Sequence, residues 1–136
     1  MRTEKKHRLA KLRHWRVRRK VRGTAERPRM SVCFTNEHIY VQFVDDTAGA
    51  TLVSVSTVSK ATPDRDKMAA NVASAKTIGK LAAGVALANG IKEVVFDRGG
   101  ARYHWSKGKG KDGKPVTVLG KLATLATAAR EAGLKF

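Results

Sequence analysis

Apolar and polar residues alternate in three consecutive segments that begin after residue 29. In the middle segment Ile39, Val41 and Phe43 share one face, and polar side chains occupy the other. A period of two is typical of a half-buried strand. Because the connections between the segments are short, we predict an antiparallel meander. The three predicted strands are Met30–Thr35, His38–Val44 and Leu52–Val58.

The second half of the chain changes to a helical period. Thr62-Pro63-Asp64 is typical of a helix start, and apolar residues then recur every three or four positions up to about Ala88. Lys92–Asp97 is a short buried strand, so a right-handed parallel crossover is expected. Residues 98–117 are predicted as a Gly- and Lys-rich loop, and Val118–Ala132 as a final helix. The predicted fold class is α/β, with a mixed sheet of a three-strand antiparallel meander plus one parallel strand and helices packed on it.

The first thirty residues carry most of the charge. They hold thirteen Lys or Arg against two Glu, a net charge of +11 out of +17, which leaves +6 for residues 31–136. Leu9, Leu12 and Trp15 trace a helix over residues 4–21, but this apolar stripe is too narrow to bury well. The start of the chain is therefore predicted to be a basic helical element outside the core.

The length of 136 residues leaves room for one compact domain beside this basic element. The hydrophobic content of 42% is ordinary for a globular domain, which excludes a wholly disordered basic protein. We therefore predict a basic arm over residues 1–29 and a single globular domain over residues 30–136.

Composition also excludes several kinds of site. The single cysteine, Cys33, rules out an internal disulfide and a multi-cysteine zinc site, and its place in a strand favours packing over nucleophilic chemistry. The four histidines lack metal-ligand spacing. No apolar run approaches transmembrane length, so we expect no membrane partner. Because no catalytic constellation stands out, we also expect no cofactor and no small-molecule substrate. An Arg-rich start also occurs in transit peptides, but this one has few hydroxyl residues.

Residues 16–24 present Arg or Lys at nearly every step. Such a run repels itself unless it meets a polyanion, and nucleic acid is the usual polyanion. Arginine binds phosphate with two parallel hydrogen bonds and stacks on bases, which suits irregular RNA. The alternative is a merely solvated face, although nothing acidic in the run balances the charge. Trp15 either stacks on an unpaired base or packs the helix against its own domain.

Two further segments are candidates for nucleic-acid contact. His38, Tyr40 and Gln42 form a polar row on the solvent side of a predicted strand, although any half-exposed strand shows such a row. Asp97–His104 follows the last core strand, where two glycines let the backbone approach a phosphate and two arginines supply charge. The alternative for this segment is a flexible loop with incidental arginines.

Lys107–Lys114 looks superficially like a phosphate-binding glycine loop. Its glycines are misplaced for that motif and no Ser or Thr follows the lysine, so we interpret it as a flexible basic loop with phosphate contacts. A phosphate-handling enzyme is disfavoured because metal ligands and a general base are missing. A DNA-binding or nucleoid protein stays open on charge alone.

Four stretches together resemble one family. They are RRKVRGTAERPRMSVCFTNEHIYVQFVDD (18–46), VSVSTVSK (53–60), GIKEVVFDRGGARYH (90–104) and AAREAGLKF (128–136). The chain is similar to the bacterial large-subunit ribosomal protein eighteen, the family that binds 5S ribosomal RNA. This resemblance implies a mixed α/β sandwich without enzyme activity, in the cytoplasmic ribosome, which helps attach 5S rRNA to 23S rRNA in the central protuberance. The implied partners are 5S rRNA, 23S rRNA and neighbouring large-subunit proteins, including the fifth.

The candidate RNA-binding residues come from the resemblance and from the charge pattern. The resemblance implies roles for Arg18, Arg19, Arg22, Arg27, Arg29, Asn36, His38, Tyr40, Gln42, Arg98, Gly99, Gly100, Tyr103 and His104. The charge pattern adds Arg8, Lys11, Arg13, Arg16, Lys20, Lys60, Arg102, Lys107, Lys109 and Lys111.

One segment departs from the family pattern. Members usually pass from the Tyr-His motif almost directly into the last helix, whereas residues 105–116 intervene here and Trp105 stands where Gly is usual. The insertion adds four lysines against one aspartate. We expect an extra basic loop that reaches neighbouring rRNA, and the contact geometry around His104 is left open.

Overall fold

The computed structural model describes residues 2–136 and contains a four-stranded mixed sheet with helices packed on one face. The sheet order is β3-β2-β1-β4, in which β4 runs parallel to β1 and the other neighbours are antiparallel. The α/β class, the antiparallel meander and the added parallel strand are thus confirmed. In chain order the elements are α1 (Thr3–Arg18), β1 (Arg29–Phe34), β2 (Ile39–Asp45), β3 (Ala50–Ser56), a 3-10 turn (Arg65–Lys67), α2 (Val72–Ala88), β4 (Val95–Asp97), β5 (Trp105–Lys109), β6 (Pro115–Leu119) and α3 (Lys121–Glu131).

The core lies between one face of the sheet and the helices α2 and α3. Ile39, Val41 and Phe43 are fully buried, as their alternation predicts, while Tyr40 and Gln42 between them are exposed. Strand β1 adds buried residues to the same face, and the two helices cover it with alanines and larger aliphatic side chains. The sheet therefore has one covered face and one face that α2 and α3 leave open.

Small residues allow the two covering helices to lie close together. A Cβ atom added at Gly79 of α2 would stand 2.5 Å from the carbonyl oxygen of Leu125 in α3 and 3.1 Å from the Cβ of Ala128. A Cβ atom added at Gly84, also in α2, would meet no atom within 4 Å. The spacing of α2 and α3 therefore depends on the missing side chain at Gly79.

The predicted start of α2 is wrong. The helix begins at Val72 and is capped by Asn71, whose side chain accepts a hydrogen bond from the backbone N–H of Ser74 at 2.8 Å. Thr62 instead donates its hydroxyl to the carbonyl of Ser56, and Asp64 adopts a left-handed backbone conformation with φ of 53°. Residues 62–71 therefore form an irregular segment with one 3-10 turn, because their polar side chains bond locally.

The prediction of a loop over residues 98–117 holds for residues 98–104 and is wrong from Trp105 onwards. Strands β5 and β6 pair antiparallel as a separate two-stranded sheet, which we call the lysine hairpin (residues 105–119). It turns through Lys111-Asp112-Gly113, and Asp-Gly between strand-forming residues is a recognised hairpin signal. Helix α3 consequently begins at Lys121, three residues after the predicted start.

The two glycines of α2 supply a matched stability test. We expect Gly79→Ala to lower the free energy of unfolding by about 1–3 kcal/mol, since the methyl group meets the Leu125 backbone. Gly84→Ala should raise it by about 0.5–1 kcal/mol, because alanine restricts the unfolded chain and meets no atom. Urea denaturation of both variants measures the difference, and equal effects would contradict the close helix contact.

Candidate nucleic-acid interface

Helix α1 lies outside the hydrophobic core. None of its residues is buried, and Trp15 is 63% exposed. His14 is its one half-buried position, and the ring lies beside Gly100 of the segment after β4. The candidate residues Arg8, Lys11, Arg13, Arg16 and Arg18 are exposed along this helix, and Arg19, Lys20 and Arg22 continue the exposed basic run after it. The arm thus presents its charge to solvent.

Gly23, where the basic arm joins the sheet, is hydrogen-bonded to Asp46 just after β2, and we call this point the arm root. Its backbone N–H donates to the Asp46 carboxylate at 2.8 Å, and its carbonyl accepts from the Asp46 backbone N–H at 3.1 Å. A Cβ at this position would collide with the Arg29 backbone nitrogen and the Val44 carbonyl. The chain then turns tightly, because the Thr24 N–H donates to the Arg27 carbonyl and the Arg27 N–H donates to the Thr24 hydroxyl. Arg27 itself is exposed.

Arg29 is buried, which corrects the prediction that it meets RNA from the surface. Its side chain donates two hydrogen bonds to Asp46, at 2.8 and 2.9 Å, and a third to Asp97 at 3.0 Å. Only 6% of the residue is exposed. A buried guanidinium needs such partners, because an unpaired charge in the interior is costly. Charge counting could not separate Arg29 from its exposed neighbours, since one of its partners lies 68 residues further along the chain.

These contacts shift the ionisation of the pair. The Arg29 hydrogen bond lowers the pKa of Asp46 from 3.8 to about 2, against the opposing effect of burial, and the Gly23 N–H and the charge of Arg18 act in the same direction as Arg29. The hydrogen bond to Asp46 raises the pKa of Arg29 in turn. Asp46 therefore stays ionised and keeps the arm root attached at neutral pH.

The segment after β4 approaches both β1 and α1. Asp97 accepts the backbone N–H of Gly99 at 3.0 Å, and Gly99 takes a φ of +58°. A Cβ there would stand 2.6 Å from the Val32 carbonyl, so only glycine fits. Gly100 next to it contacts the His14 ring. The same carboxylates that hold Arg29 therefore fix the arm root and this segment.

A cleft of about 360 Å³ separates α1 from this segment. Five arginines line it, three from α1 and two from the segment after β4: Arg13, Arg16, Arg18, Arg98 and Arg102. Two basic regions that are eighty residues apart in sequence thus converge on one concave surface. Such a cleft fits an anionic backbone, because each arginine can form paired hydrogen bonds to phosphate.

The open sheet face carries a second group of candidates. Tyr40 and Gln42 are exposed on β2, His38 is half-buried against Thr57, and Asn36 is exposed in the β1–β2 turn. Cys33 pairs with Tyr40 on this face and is exposed, so the prediction that it packs in the core is wrong. The alternation of β1 puts Met30 and Val32 in the core and Cys33 outside.

The remaining candidates lie apart from the cleft. Tyr103 accepts a hydrogen bond from Arg130 of α3 at 3.3 Å, and the His104 ring lies over Gly120, whose N–H donates to the His104 carbonyl at 3.0 Å. Lys60 is exposed in the turn after β3. Lys107 and Lys109 lie on β5, and Lys111 lies at the tip of the lysine hairpin. The structure therefore places most candidates on the exposed arm, the arginine cleft, the open sheet face or the lysine hairpin, and leaves Lys60, Tyr103 and His104 outside these groups.

Residues 2–136 hold no cluster of three or more His, Cys, Asp or Glu side chains able to bind a metal ion. Over the same residues, no helix combines the length and apolar character needed to cross a membrane.

The fold and its surface define a class: a small α/β protein whose folded body carries a cationic helix. Comparison with known proteins identifies the family. The model of "Ribosomal L18 of archaea, bacteria, mitoch. and chloroplast" matches residues 3–109. The chain therefore belongs to the ribosomal L18 family.

Curated relatives agree over nearly the whole chain. The large ribosomal subunit protein uL18 of Acidobacterium capsulatum is 48% identical over 123 residues, 90% of this chain and 88% of that protein. The protein of the same name from Kosmotoga olearia is 45% identical over 128 residues, 94% of this chain and 93% of the relative. The protein is accordingly a structural, non-enzymatic constituent of the large ribosomal subunit, located in the cytoplasm.

The Asp46 contacts generate a pH prediction. A carboxylate with a lowered folded-state pKa adds stability that is complete above its ordinary value of 3.8 and is lost as the pH falls towards about 2. Asp46→Asn should therefore be less stable than the parent at pH 7 and should lose less stability across that acid window. Urea denaturation at several pH values measures both curves. Asp66→Asn is the control, since that side chain is 92% exposed, and parallel parent and Asp46→Asn curves would contradict the assignment.

Proposed function

We propose that this chain binds 5S rRNA and helps attach it to 23S rRNA in the central protuberance, near the fifth large-subunit protein. The observation that carries the proposal is the convergence of α1 and the segment after β4 on one arginine-lined cleft. Membership of the L18 family makes rRNA the polyanion available to it. The division into an arm, residues 1–29, and a domain, residues 30–136, forms part of the proposal, with Arg29 reassigned to holding the arm root.

The arm and the cleft supply most of the affinity in this proposal. Residues 2–22 hold eleven Lys or Arg against one Glu, and each phosphate that they neutralise releases counterions. Helical RNA has a deep, narrow major groove that side chains cannot read. Contacts to phosphate, to 2′-hydroxyls and to unpaired bases therefore dominate, and Trp15 is exposed enough to stack on such a base.

The open sheet face supplies selectivity. Tyr40 and Gln42 project from a rigid strand whose other face is packed in the core, so their positions are fixed before RNA arrives. His38 meets the Tyr40 ring edge-on, with ring centres 6.4 Å apart. A rigid aromatic and amide surface can stack on and hydrogen-bond to exposed bases, and it thereby sets the register of the arm on the RNA.

RNA capture tests the proposal directly. The full chain is incubated with total bacterial RNA, and the bound RNA is sequenced. We expect strong enrichment of 5S rRNA over tRNA and messenger RNA. Recovery of mixed RNA without 5S enrichment would contradict the proposal.

Removal of residues 1–22 separates affinity from folding. We expect 5S affinity to fall at least about 100-fold at 0.15 M salt, and the dependence of affinity on salt to become much shallower. The unfolding free energy should change little, since α1 buries no residue and Gly23 remains. Filter binding and urea denaturation measure the two quantities. The paired substitution Lys76→Gln and Lys80→Gln, on the exposed side of α2, is the charge control, and a large loss of stability on truncation would refute this role of the arm.

A further inference from the structure

The lysine hairpin projects from the body as an independent element. Residues 105–119 are all exposed or half-buried, and they form a two-stranded sheet separate from the main one. The base is closed by the hydrogen bond from the Gly120 N–H to the His104 carbonyl. An isolated two-stranded hairpin gains little stability in water by itself. The segment nevertheless has regular pairing across five residues of each strand, so it offers a formed surface without a covering partner.

The pairing register gives the hairpin two different faces. One face carries Trp105, Lys107 and Lys109 of β5 together with their cross-strand partners Leu119, Thr117 and Pro115 of β6, and we call it the lysine face. The other face carries Ser106 and Gly108 together with their cross-strand partners Val118 and Val116, and we call it the valine face. The alternation of Lys and Gly in β5 therefore sorts all of its charge onto one side. Lys111 and Lys114 add charge around the tip.

Among the residues that the structure describes, no ion pair neutralises the hairpin lysines. The ion pairs within residues 2–136 involve Arg29, His38 and Arg65, so none includes a hairpin lysine. The hairpin carries four lysines and one aspartate, a net charge of +3 over fifteen residues. Lysines two positions apart on a strand stand roughly 7 Å apart. Such a row suits a chain of phosphates, which lysine binds as a point charge.

Trp105 adds an aromatic group to the same face. It is 57% exposed and stands at the root of the lysine row. A base-stacking aromatic beside a row of cations is the combination that binds single-stranded or unpaired nucleic acid. The family-model match ends at residue 109, within β5, so the second strand lies beyond the matched part of the chain.

We propose that the lysine face, together with Lys111 at the tip, is a second RNA-binding element. It holds an RNA backbone through these lysines and stacks an unpaired base on Trp105. It acts separately from the arginine cleft. Its ligand is a segment of rRNA, and the valine face is not the contact surface. The inference goes beyond the proposed function, since it requires only that the protein lies beside rRNA in the large ribosomal subunit.

The salt dependence of RNA affinity tests the lysine row. The full chain carrying Lys107→Gln, Lys109→Gln and Lys111→Gln is compared with one carrying Lys76→Gln, Lys80→Gln and Lys92→Gln, which removes equal charge elsewhere. Filter binding uses 5S rRNA and 23S rRNA transcripts over a range of salt. With at least one RNA, we expect the slope of log affinity against log salt to become shallower by about 2–3 for the hairpin variant, and its affinity to drop roughly 10- to 100-fold at 0.15 M salt. Equal slopes for the two variants with both RNAs would overturn the proposal.

The hairpin variant, the removal of residues 1–22 and the RNA capture together distinguish failure of the hairpin inference from failure of the proposed function. If the hairpin variant binds like its control while removal of residues 1–22 abolishes 5S binding, the hairpin inference fails and the proposed function stands. If the hairpin variant is weakened while 5S rRNA is not enriched from total RNA, the proposed function fails and the hairpin inference stands.

Tryptophan fluorescence tests the stacking. The chain has two tryptophans, so Trp15→Phe leaves Trp105 as the only reporter. We expect RNA to quench this emission, and Trp105→Ala to weaken binding at least about fivefold while Trp105→Phe retains most of it. An unquenched Trp105 in saturating RNA would contradict base stacking.

Substitution of the valine face tests the competing hypothesis that the hairpin binds a protein through this face instead of RNA through the lysine face. Val116→Thr and Val118→Thr replace side chains that are 47% and 53% exposed with residues of similar shape. We expect normal incorporation of this variant into large subunits. Failure to incorporate, together with normal incorporation of the triple lysine variant, would assign the hairpin to a protein partner and overturn the proposal.

Discussion

The buried guanidinium of Arg29 is the interaction on which the geometry of the basic surface depends. Strand β1 lies between β2 and β4, so Arg29 reaches Asp46 just beyond one neighbour and Asp97 at the end of the other. Each carboxylate also accepts a backbone N–H, from Gly23 and Gly99 respectively. Because these bonds share one cation, the arm root and the segment after β4 are placed relative to each other. Removing the guanidinium would leave two carboxylates without their cation, which makes the arrangement hard to replace.

The division of labour between the two faces of the sheet follows from how the helices pack. Close approach at Gly79 lets α2 and α3 cover the inner face with mostly small side chains, and the core is complete on that side alone. The other face needs no cover, since Tyr40, Gln42 and Cys33 tolerate solvent. The proposed recognition surface and the core thus lie on opposite faces of the sheet, so the exposed side chains can vary at little cost to folding.

Local patterns predicted the parts of the fold that local chemistry determines. The alternation around Val41 identified β2 because one face of the strand is buried, and Asp112-Gly113 carried a hairpin signal that the surrounding lysines and glycines obscured. The role of Arg29 depends on a contact 68 residues away, which no local pattern contains. The prediction of where α2 starts was wrong for a related reason. Thr62 has the chemistry of a cap, but its hydroxyl bonds to Ser56 on the preceding strand instead.

The junction at His104 explains how a hairpin can be accommodated without disturbing the body. The backbone leaves the body at His104 and returns at Gly120, which are hydrogen-bonded to each other, so the hairpin begins and ends at adjacent points. The His104 ring lies where a Gly120 side chain would stand, so the return position requires glycine. Trp105 is therefore the first residue of the hairpin, and Gly120 lies beside His104 where the hairpin ends. Because α3 starts directly after this glycine, the length of the hairpin has no effect on the helix that completes the core.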